Sequence, residues 1–343
     1  MINLGVSAAD LSRAAGILRE GGLVAFPTET VYGLGAGAFN SPALARVFEV
    51  KGRPRFDPLI IHIAGMDGLE RVTLVETLPQ SLRIMVEALT RTFWPGPLTL
   101  VLPKRPELPG LATAGLSTAA VRFPNHPAAQ KLIALSTGAV AAPSANPFGR
   151  LSPTRAAHVA EGLGDKIDCL IDGGPCSVGV ESTVLSLTED PPRLLRPGGI
   201  SRESLEALTG PVAAGTETTE TAPESPGLLK SHYAPEIPLV FHSPEEMAAL
   251  PRGAQEGLLF FSGAARDAWL RKNPGAGQDP ADPRILALSE SGSVREAAAN
   301  LFQYLHRLDR LNLRRIRAEL LPEEGLGAAV NDRLRRAGFP RRA

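Results

Sequence analysis

Short apolar runs, bounded by glycine, proline and polar residues, recur along most of the chain, and their spacing predicts its elements. Gly22-Leu23-Val24-Ala25-Phe26 and Leu59-Ile60-Ile61-His62-Ile63 are unbroken runs of strand length, which predicts two largely buried strands. Between them, Ser41-Pro42 offers an N-cap followed by proline at the first helical position. Leu44, Val47 and Phe48 then share one buried face, and Gly52 stops the helix. Further strands are expected over residues 98–102, 119–123, 139–142 and 183–187, with helical segments between them. Strands alternating with helices up to about residue 205 make this an α/β or α+β domain.

The pattern changes near the middle. Residues 211–227 turn to Thr, Glu, Pro, Gly and Ala without periodicity, which reads as an exposed linker. Beyond it, strands over 239–241, 257–261 and 285–288 and an amphipathic helix over 293–312, with Ala297, Leu301, Leu305 and Leu308 on one face, predict a second, smaller α/β domain. The chain thus divides into a first domain over 1–208, a linker over 209–237 and a second domain over 238–343.

Composition narrows the function classes. With 343 residues, 43% apolar and 21% charged, there is enough material for two ordinary globular cores. A formal net charge of zero removes any global attraction to nucleic acid or anionic membrane, so a polyanion must be met by a local patch. No apolar run reaches membrane-spanning length and no signal pattern opens the chain, which points to the cytoplasm and away from a membrane. Cys169 and Cys176 are too few and too isolated for a disulfide framework or a structural zinc site.

The candidate chemistry is concentrated early. Pro27-Thr28-Glu29-Thr30-Val31-Tyr32-Gly33-Leu34-Gly35, then Lys51-Gly52-Arg53-Pro54, then Pro58-Leu59-Ile60-Ile61-His62, place hydroxyls, a glycine turn, two cations and an imidazole within one stretch. This set suits an anionic or zwitterionic small molecule beside phosphates. Lys51 in a helix's last turn either neutralises the negative helix end or meets a ligand. Arg53 lies past the stop, where an anionic ligand explains it better. The glycines from Gly33 to Gly37 do not form a dinucleotide-binding turn, because six residues separate Phe26 from Gly33 and the next helix cap comes only at Ser41. His62 among apolar neighbours is either a satisfied core histidine or a ligand contact. Arg122 interrupts an apolar strand, so it needs an anion, either an internal carboxylate or a ligand's. Thr118 stands four residues earlier, at the strand mouth. Ser144 and Asn146 leave a strand into a proline-bound loop, suited to hydrogen-bonding a nucleotide or to tying down a turn. Ser152-Pro153-Thr154 reads as a helix start. Trp94-Pro95-Gly96-Pro97 is a rigid turn of structural character.

In this order the segments resemble the YrdC-like family of threonylcarbamoyl-AMP synthases, in its longer two-domain form. The matching features are PTETVYGLGA at 27–36, KGRP at 51–54, PLIIHI at 58–63, WPGPLTLVL at 94–102, TAGLSTAAVRFP at 113–124, APSAN at 142–146, SPT at 152–154, DGG at 172–174, GVESTV at 179–184 and LLRPG at 194–198. Residues 225–235, SPGLLKSHYAP, are similar to the strap joining the two domains of that form. The resemblance implies a twisted mixed sheet around a concave cavity, followed by a smaller Rossmann-like α/β domain.

The implied activity joins L-threonine, bicarbonate and ATP into threonylcarbamoyl-AMP, with release of pyrophosphate and water. That adenylate is the precursor of N6-threonylcarbamoyladenosine in tRNA and passes to a downstream tRNA threonylcarbamoyl transferase complex. By resemblance, Thr30, His62, Arg122 and Ser182 hold threonine. Lys51, Arg53, Asp57, Thr118, Ser144, Asn146, Ser152 and Arg196 serve ATP, Lys51 and Arg53 act catalytically on its phosphates, and Tyr233 of the strap closes over it. Mg²⁺ is expected with ATP rather than in a protein cage. Position 57 departs from the family, which often carries Asn there: an added carboxylate repels phosphates unless Mg²⁺ or Arg53 compensates.

Three other classes stand beside this one. Arg307, Arg310, Arg314, Arg315, Arg317, Arg333, Arg335 and Arg336 form either a basic stripe for weak tRNA contact or a solvated face interleaved with Asp309, Glu319 and Asp332. A carbamoyl transferase of the hydrogenase-maturation type needs cysteine-rich zinc modules, which two cysteines cannot supply. A regulatory protein would show no threonine-dependent exchange between ATP and pyrophosphate.

Overall fold

Burial of these apolar runs builds one large mixed sheet in the first part of the chain and a small parallel sheet in the last. The computed structural model describes residues 1–215, 223–229, 232–251, 253, 255–274 and 282–339. It divides into two compact units, one of Met1–Phe148, Ser152–Ser177 and Glu181–Leu229, the other of Gly149–Leu151, Val178–Val180 and Lys230–Ala343.

The first unit opens with β1 (Ile2–Leu4), α1 (Ala8–Arg19), β2 (Val24–Phe26), β3 (Gly33–Gly37), α2 (Ser41–Lys51) and β4 (Ile60–Ile63). It continues through α3 (Met66–Val72), α4 (Gln80–Phe93), β5 (Leu98–Pro103), β6 (Thr118–Arg122), α5 (Pro127–Leu135) and β7 (Ala139–Ala141). It closes with α6 (Ala156–Leu163), β8 (Cys169–Ile171), β9 (Thr183–Ser186), β10 (Arg193–Arg196), α7 (Arg202–Thr209) and β11 (Ala213–Ala214). Among the described residues these strands form an 11-stranded sheet in the order β1-β8-β2-β3-β7-β4-β6-β5-β9-β10-β11. At its centre β4 pairs parallel with β6 and antiparallel with β7, and β5 pairs antiparallel with β6 and parallel with β9.

Alternation along those central strands separates two faces. Ile61, Ile63, Leu98, Leu100, Leu102, Ala119 and Val121 enter the main core with Leu44 and Val47 of α2 and Leu82, Val86 and Leu89 of α4. The opposite face carries a smaller apolar patch of Ile60, Val101, Ala120, Val184 and Leu195, against which Leu228 packs.

The second unit contains β12 (Leu239–His242), α8 (Pro244–Ala249), β13 (Glu256–Ser262), α9 (Gly263–Lys272), β14 (Ile285–Ser289), α10 (Val294–Asp309), β15 (Arg315–Glu319) and α11 (Leu326–Ala337). Among the described residues its strands run parallel in the order β12-β15-β13-β14. Met247, Leu258, Phe260 and Trp269 form a core cluster on one side. The fold is therefore α/β, with a mixed sheet and a second, parallel one. Among the described residues no helix is long and apolar enough to cross a membrane.

Several local readings need correction. Asn40 rather than Ser41 caps α2, its side chain accepting from the Ala43 N–H, while Gly52 ends the helix in the left-handed region as expected. Gly33–Gly37 is a fully buried strand, not a loose turn. A side chain at Gly35 would start 2.8 Å from Val140 Cγ1 and 2.9 Å from the Phe26 ring, so the strand lies close to its neighbours because it is glycine-rich. The helix near Ser152 begins only at Ala156, with Arg155 as its N-cap residue. The expected linker is not uniformly exposed: Ala213–Ala214 join the sheet, and Ser225, Pro226 and Gly227 are buried. Residues 216–222 of that linker, and Lys230 and Ser231 of the strap, lie outside the described residues.

The arginines of the second unit are largely matched by its own acids. Arg315 and Arg317 reach Glu256 at 3.2 and 2.9 Å, and Arg333 and Arg336 both reach Asp332 at 2.9 Å.

Close backbone approach yields a stability prediction for the first unit. A Cβ on Gly198 would lie 2.3 Å from both the Ser182 carbonyl carbon and the Thr183 nitrogen, backbone atoms that cannot rotate away. Gly198→Ala is expected to destabilise the protein by about 3 kcal/mol, the upper range for overpacking, measured by urea unfolding of the full chain.

Candidate functional site

The site grows from the register of four adjacent strands. His62 on β4 stands opposite Arg122 on β6, Arg122 opposite Thr99 on β5, and Thr99 opposite Val184 on β9. Residues in register share a face, so these side chains form a row beside the apolar patch of Ile60, Ala120, Val101 and Val184. Ser182, two residues before Val184, joins the row through a 2.7 Å hydrogen bond between its hydroxyl and that of Thr99.

Arg122 is the centre of this row. Its Nη1 donates to Thr30 Oγ1 at 2.8 Å and its Nε to the Gly96 carbonyl at 3.2 Å. Its Nη2 lies 2.7 Å from Glu29 Oε1, an ion contact, yet neither Glu29 oxygen has a hydrogen bond of proper geometry. The anion demanded by Arg122 is thus internal in this structure. The 94–97 turn has more than a structural part, since its Gly96 carbonyl helps aim the guanidinium.

Thr28 has a local explanation. Its hydroxyl donates to the Val31 carbonyl at 2.6 Å and accepts from the Thr30 and Val31 N–H groups, a hydroxyl-stabilised turn that presents Glu29 and Thr30. His62 is almost fully buried, with Nδ1 3.2 Å from the Ile60 carbonyl and its ring edge-on to Phe26. Burial, reinforced by the Arg122 charge, pulls its pKa down to about 3. It is therefore a neutral imidazole at physiological pH.

A second cluster gathers around Asp57. The chain leaves α2 at Gly52 and brings Arg53 back onto the following loop, where Nη2 meets Asp57 Oδ1 at 2.8 Å and Pro58 O at 2.7 Å. Burial raises the Asp57 carboxyl above its usual range, and the charges of Arg53, Lys51 and Arg196 oppose that rise. Arg53 is thus paired with Asp57, and the charges of Lys51 and Arg196 are also felt there. Neither Asp57 carboxylate oxygen has a hydrogen-bond donor. Lys51 Nζ donates to the Ser144 carbonyl at 2.6 Å and to that of Asn146. Burial, with Arg53 adding to it and Asp57 opposing it, holds the amine well below the usual lysine range.

Arg196 links the two groups. It donates through Nε and Nη2 to the Ser182 carbonyl at 3.2 and 2.9 Å, through Nη2 to the Ser182 hydroxyl at 3.3 Å, and through Nη1 to the Pro226 carbonyl at 2.9 Å. Thr118 begins β6 on the same face as Arg122, four residues or about 13 Å away along the strand. Ser144 bridges to Gly33, and the Asn146 amide donates to Pro147 O. Ser152 donates to Glu181, next to Ser182, instead of opening a helix.

Tyr233 belongs to the second unit, where its ring is buried against Phe302 at 5.7 Å and beneath the Arg333 guanidinium at 5.3 Å. Its backbone is left-handed, φ +61°, which is unusual for an aromatic residue.

Sequence reasoning assigned no role to Glu29 or Thr99. Thr99 is visible as the polar position in an apolar strand, the same signal that exposed Arg122. Glu29 was present in the motif, but only coordinates show that its partner is 93 positions away on β6.

A family model described as "Telomere recombination", covering the Sua5, YciO and YrdC proteins, matches residues 16–198. A second, described as "Threonylcarbamoyl-AMP synthase, C-terminal domain", matches residues 200–338. The curated threonylcarbamoyl-AMP synthase of Pyrococcus abyssi is 46% identical over 94% of this chain and 92% of its own length. This chain belongs to the threonylcarbamoyl-AMP synthase family. The Bacillus subtilis member is 43% identical over 95% of this chain and 92% of its own. Among solved structures, P. abyssi Sua5 complexed with L-threonine superposes with a TM-score of 0.85 at 42% identity, covering 98% of this chain and 97% of that one. Family membership thus extends over both units, including the part past residue 238 where sequence motifs were sparse.

Two predictions come from the buried charges. Because the His62 ring is proton-free when folded and titrates near 6.5 when unfolded, its contribution to stability falls as pH drops below that value toward about 3. His62→Asn should flatten the acid limb of the stability profile by about 1.4 kcal/mol per pH unit between pH 6 and 4, read by urea unfolding. Separately, Asp57 already occupies the cations expected to meet phosphates. Asp57→Asn should tighten ATP binding about tenfold, equivalent to about 1.4 kcal/mol, by calorimetric titration; weaker binding would mean that the carboxylate serves a cation on the nucleotide.

Proposed function

We propose that this chain is a threonylcarbamoyl-AMP synthase that joins L-threonine, bicarbonate and ATP, releasing pyrophosphate and water. The observation that carries the reading is that two polar groups of different character are linked by Arg196, which contacts Ser182 and whose charge is felt at Asp57. Thr30, His62, Arg122 and Ser182 are hydroxyls, a neutral imidazole and an arginine, a set suited to an amino acid's carboxylate and hydroxyl. Arg53 pairs with Asp57, and Lys51 and Arg196 add their charge there, a set suited to a triphosphate. The solved Pyrococcus relative holding L-threonine supports the first assignment.

In this reading the threonine amine captures bicarbonate as a carbamate, and a carbamate oxygen attacks the α-phosphorus of ATP in line. The chain's work is positioning and neutralisation of charge on the phosphates. Mg²⁺ enters on the nucleotide. Phosphate oxygens would hold that ion, since Asp57 is already paired with Arg53. Thr118, Ser144, Asn146 and Ser152 contact the nucleotide in this assignment, and the strap with Tyr233 excludes water from a labile adenylate. The product passes in the cytoplasm to a tRNA threonylcarbamoyl transferase. Direct tRNA contact by this chain is not needed for the reaction.

Pyrophosphate release tests the reading. It should require ATP, threonine and bicarbonate together, and omission of any one should stop it. Release that persists without threonine would overturn the assignment.

A further inference from the structure

Glu29 is buried on the loop between β2 and β3 with neither oxygen in a hydrogen bond. An ionised carboxylate is costly to bury in that state; Thr28 builds the turn, and what the carboxylate meets is the charge of Arg122, which Thr30 also holds. Its charge faces the Arg122 guanidinium at 2.7 Å and also bears on His126 of the loop before α5 and on Cys176.

A buried arginine alone accepts any small carboxylate. With Glu29 at its side the pair is already neutral, so an entering anion leaves a net negative charge in a place from which water is excluded. A zwitterion avoids this, because its ammonium brings the missing cation. The neighbouring His62 cannot supply that cation, since the ring is held neutral.

We propose that Glu29 is a specificity residue: its buried charge makes the Arg122 pocket select a zwitterionic amino acid over the matching carboxylate that lacks an amine. This rests on the reading of Arg122 as the receptor for threonine's carboxylate. Glu29 acts on the ligand through the field of the pair in a low-dielectric interior, where two charges a few ångströms apart change affinity about 100-fold.

The test uses the full-length protein and two ligands, L-threonine and 3-hydroxybutyrate, the latter being threonine's skeleton without the amine. Calorimetric titration of the wild type should show a strong preference for threonine. In Glu29→Gln that preference should shrink about 100-fold, with 3-hydroxybutyrate binding more tightly than to the wild type. Equal weakening of both ligands would show that Glu29 only props Arg122, and would overturn the proposal. Glu29→Asp retains the charge and should retain the preference even if both affinities fall; loss of preference there would also overturn it, including in the case where Glu29→Gln does not fold. The two readings fail differently. A wild type that releases pyrophosphate with threonine but shows no change of preference on substitution removes this proposal alone, whereas a wild type that binds neither ligand removes the substrate reading as well.

Discussion

A guanidinium sealed inside a sheet needs an anion, and the contact between Arg122 and Glu29 supplies it. Much of the site's geometry follows from meeting that demand. Thr28 must form its turn for Glu29 to point inward, the 94–97 turn must bring the Gly96 carbonyl to Arg122 Nε, and β6 must lie between β4 and β5 for His62 and Thr99 to flank it. The Arg53 and Asp57 contact repeats the arrangement a few residues from the start of β4. In both places an arginine expected to grip a ligand anion is held by an acid of its own chain. Removing one partner of such a pair strands the other charge, so the pairs are costly to break yet add little net stability. Each pair fixes where its cation points, which would lower the ordering cost of an anion binding there.

The face carrying Arg122 has a simple layout. Arg122 closes β6 at one end and Thr118 opens it at the other, about 13 Å apart by strand rise. The Asp57 cluster and the loop with Ser144 and Asn146 lie toward the start of β4, where the Ala142 N–H donates to Ile60 O. Between the polar ends are Ile60, Ala120, Val101, Val184 and Leu195, an apolar floor covered by Leu228. An amino acid at one end and a triphosphate at the other would then meet over a surface without competing hydrogen-bond groups. Leu228 and the Pro226 carbonyl, both near the start of the strap, tie that segment to the same face.

How much of this was legible in the chain depended on whether the deciding contact was local. Continuous apolar runs gave β2, β4, β5, β6, β7 and β9 within one or two residues, because a strand buried on both faces needs no partner to be recognised. Gly33–Gly37 was read as a turn since glycine carries no apolar signal. Its strand character comes from Phe26 and Val140, which pack where side chains would otherwise stand. In β15, Arg315-Ile316-Arg317-Ala318-Glu319 looked like part of a charged surface, although Ile316 and Ala318 alternate inward and the arginines reach back to Glu256. The site residues were found through polar interruptions of apolar strands, as with His62 and Arg122. The same rule, applied to Thr99, would have found it too. Glu29 could not be found so, because a carboxylate in a polar loop looks ordinary until its distant partner is known.

Burial also changes what these residues can do. A lysine and a histidine in a catalytic motif invite acid–base roles, but here burial pulls both pKa values down, His62 to about 3. The neutral imidazole is not poised near neutral pH to shuttle protons by ordinary titration, and the Lys51 amine is fixed between two backbone carbonyls. The arginines keep their charge at any working pH. The arginines give the site fixed charge and fixed direction. That matches a reaction in which an amine, bicarbonate and a triphosphate supply the reacting groups, and the protein's share of the barrier is paid in orientation and charge.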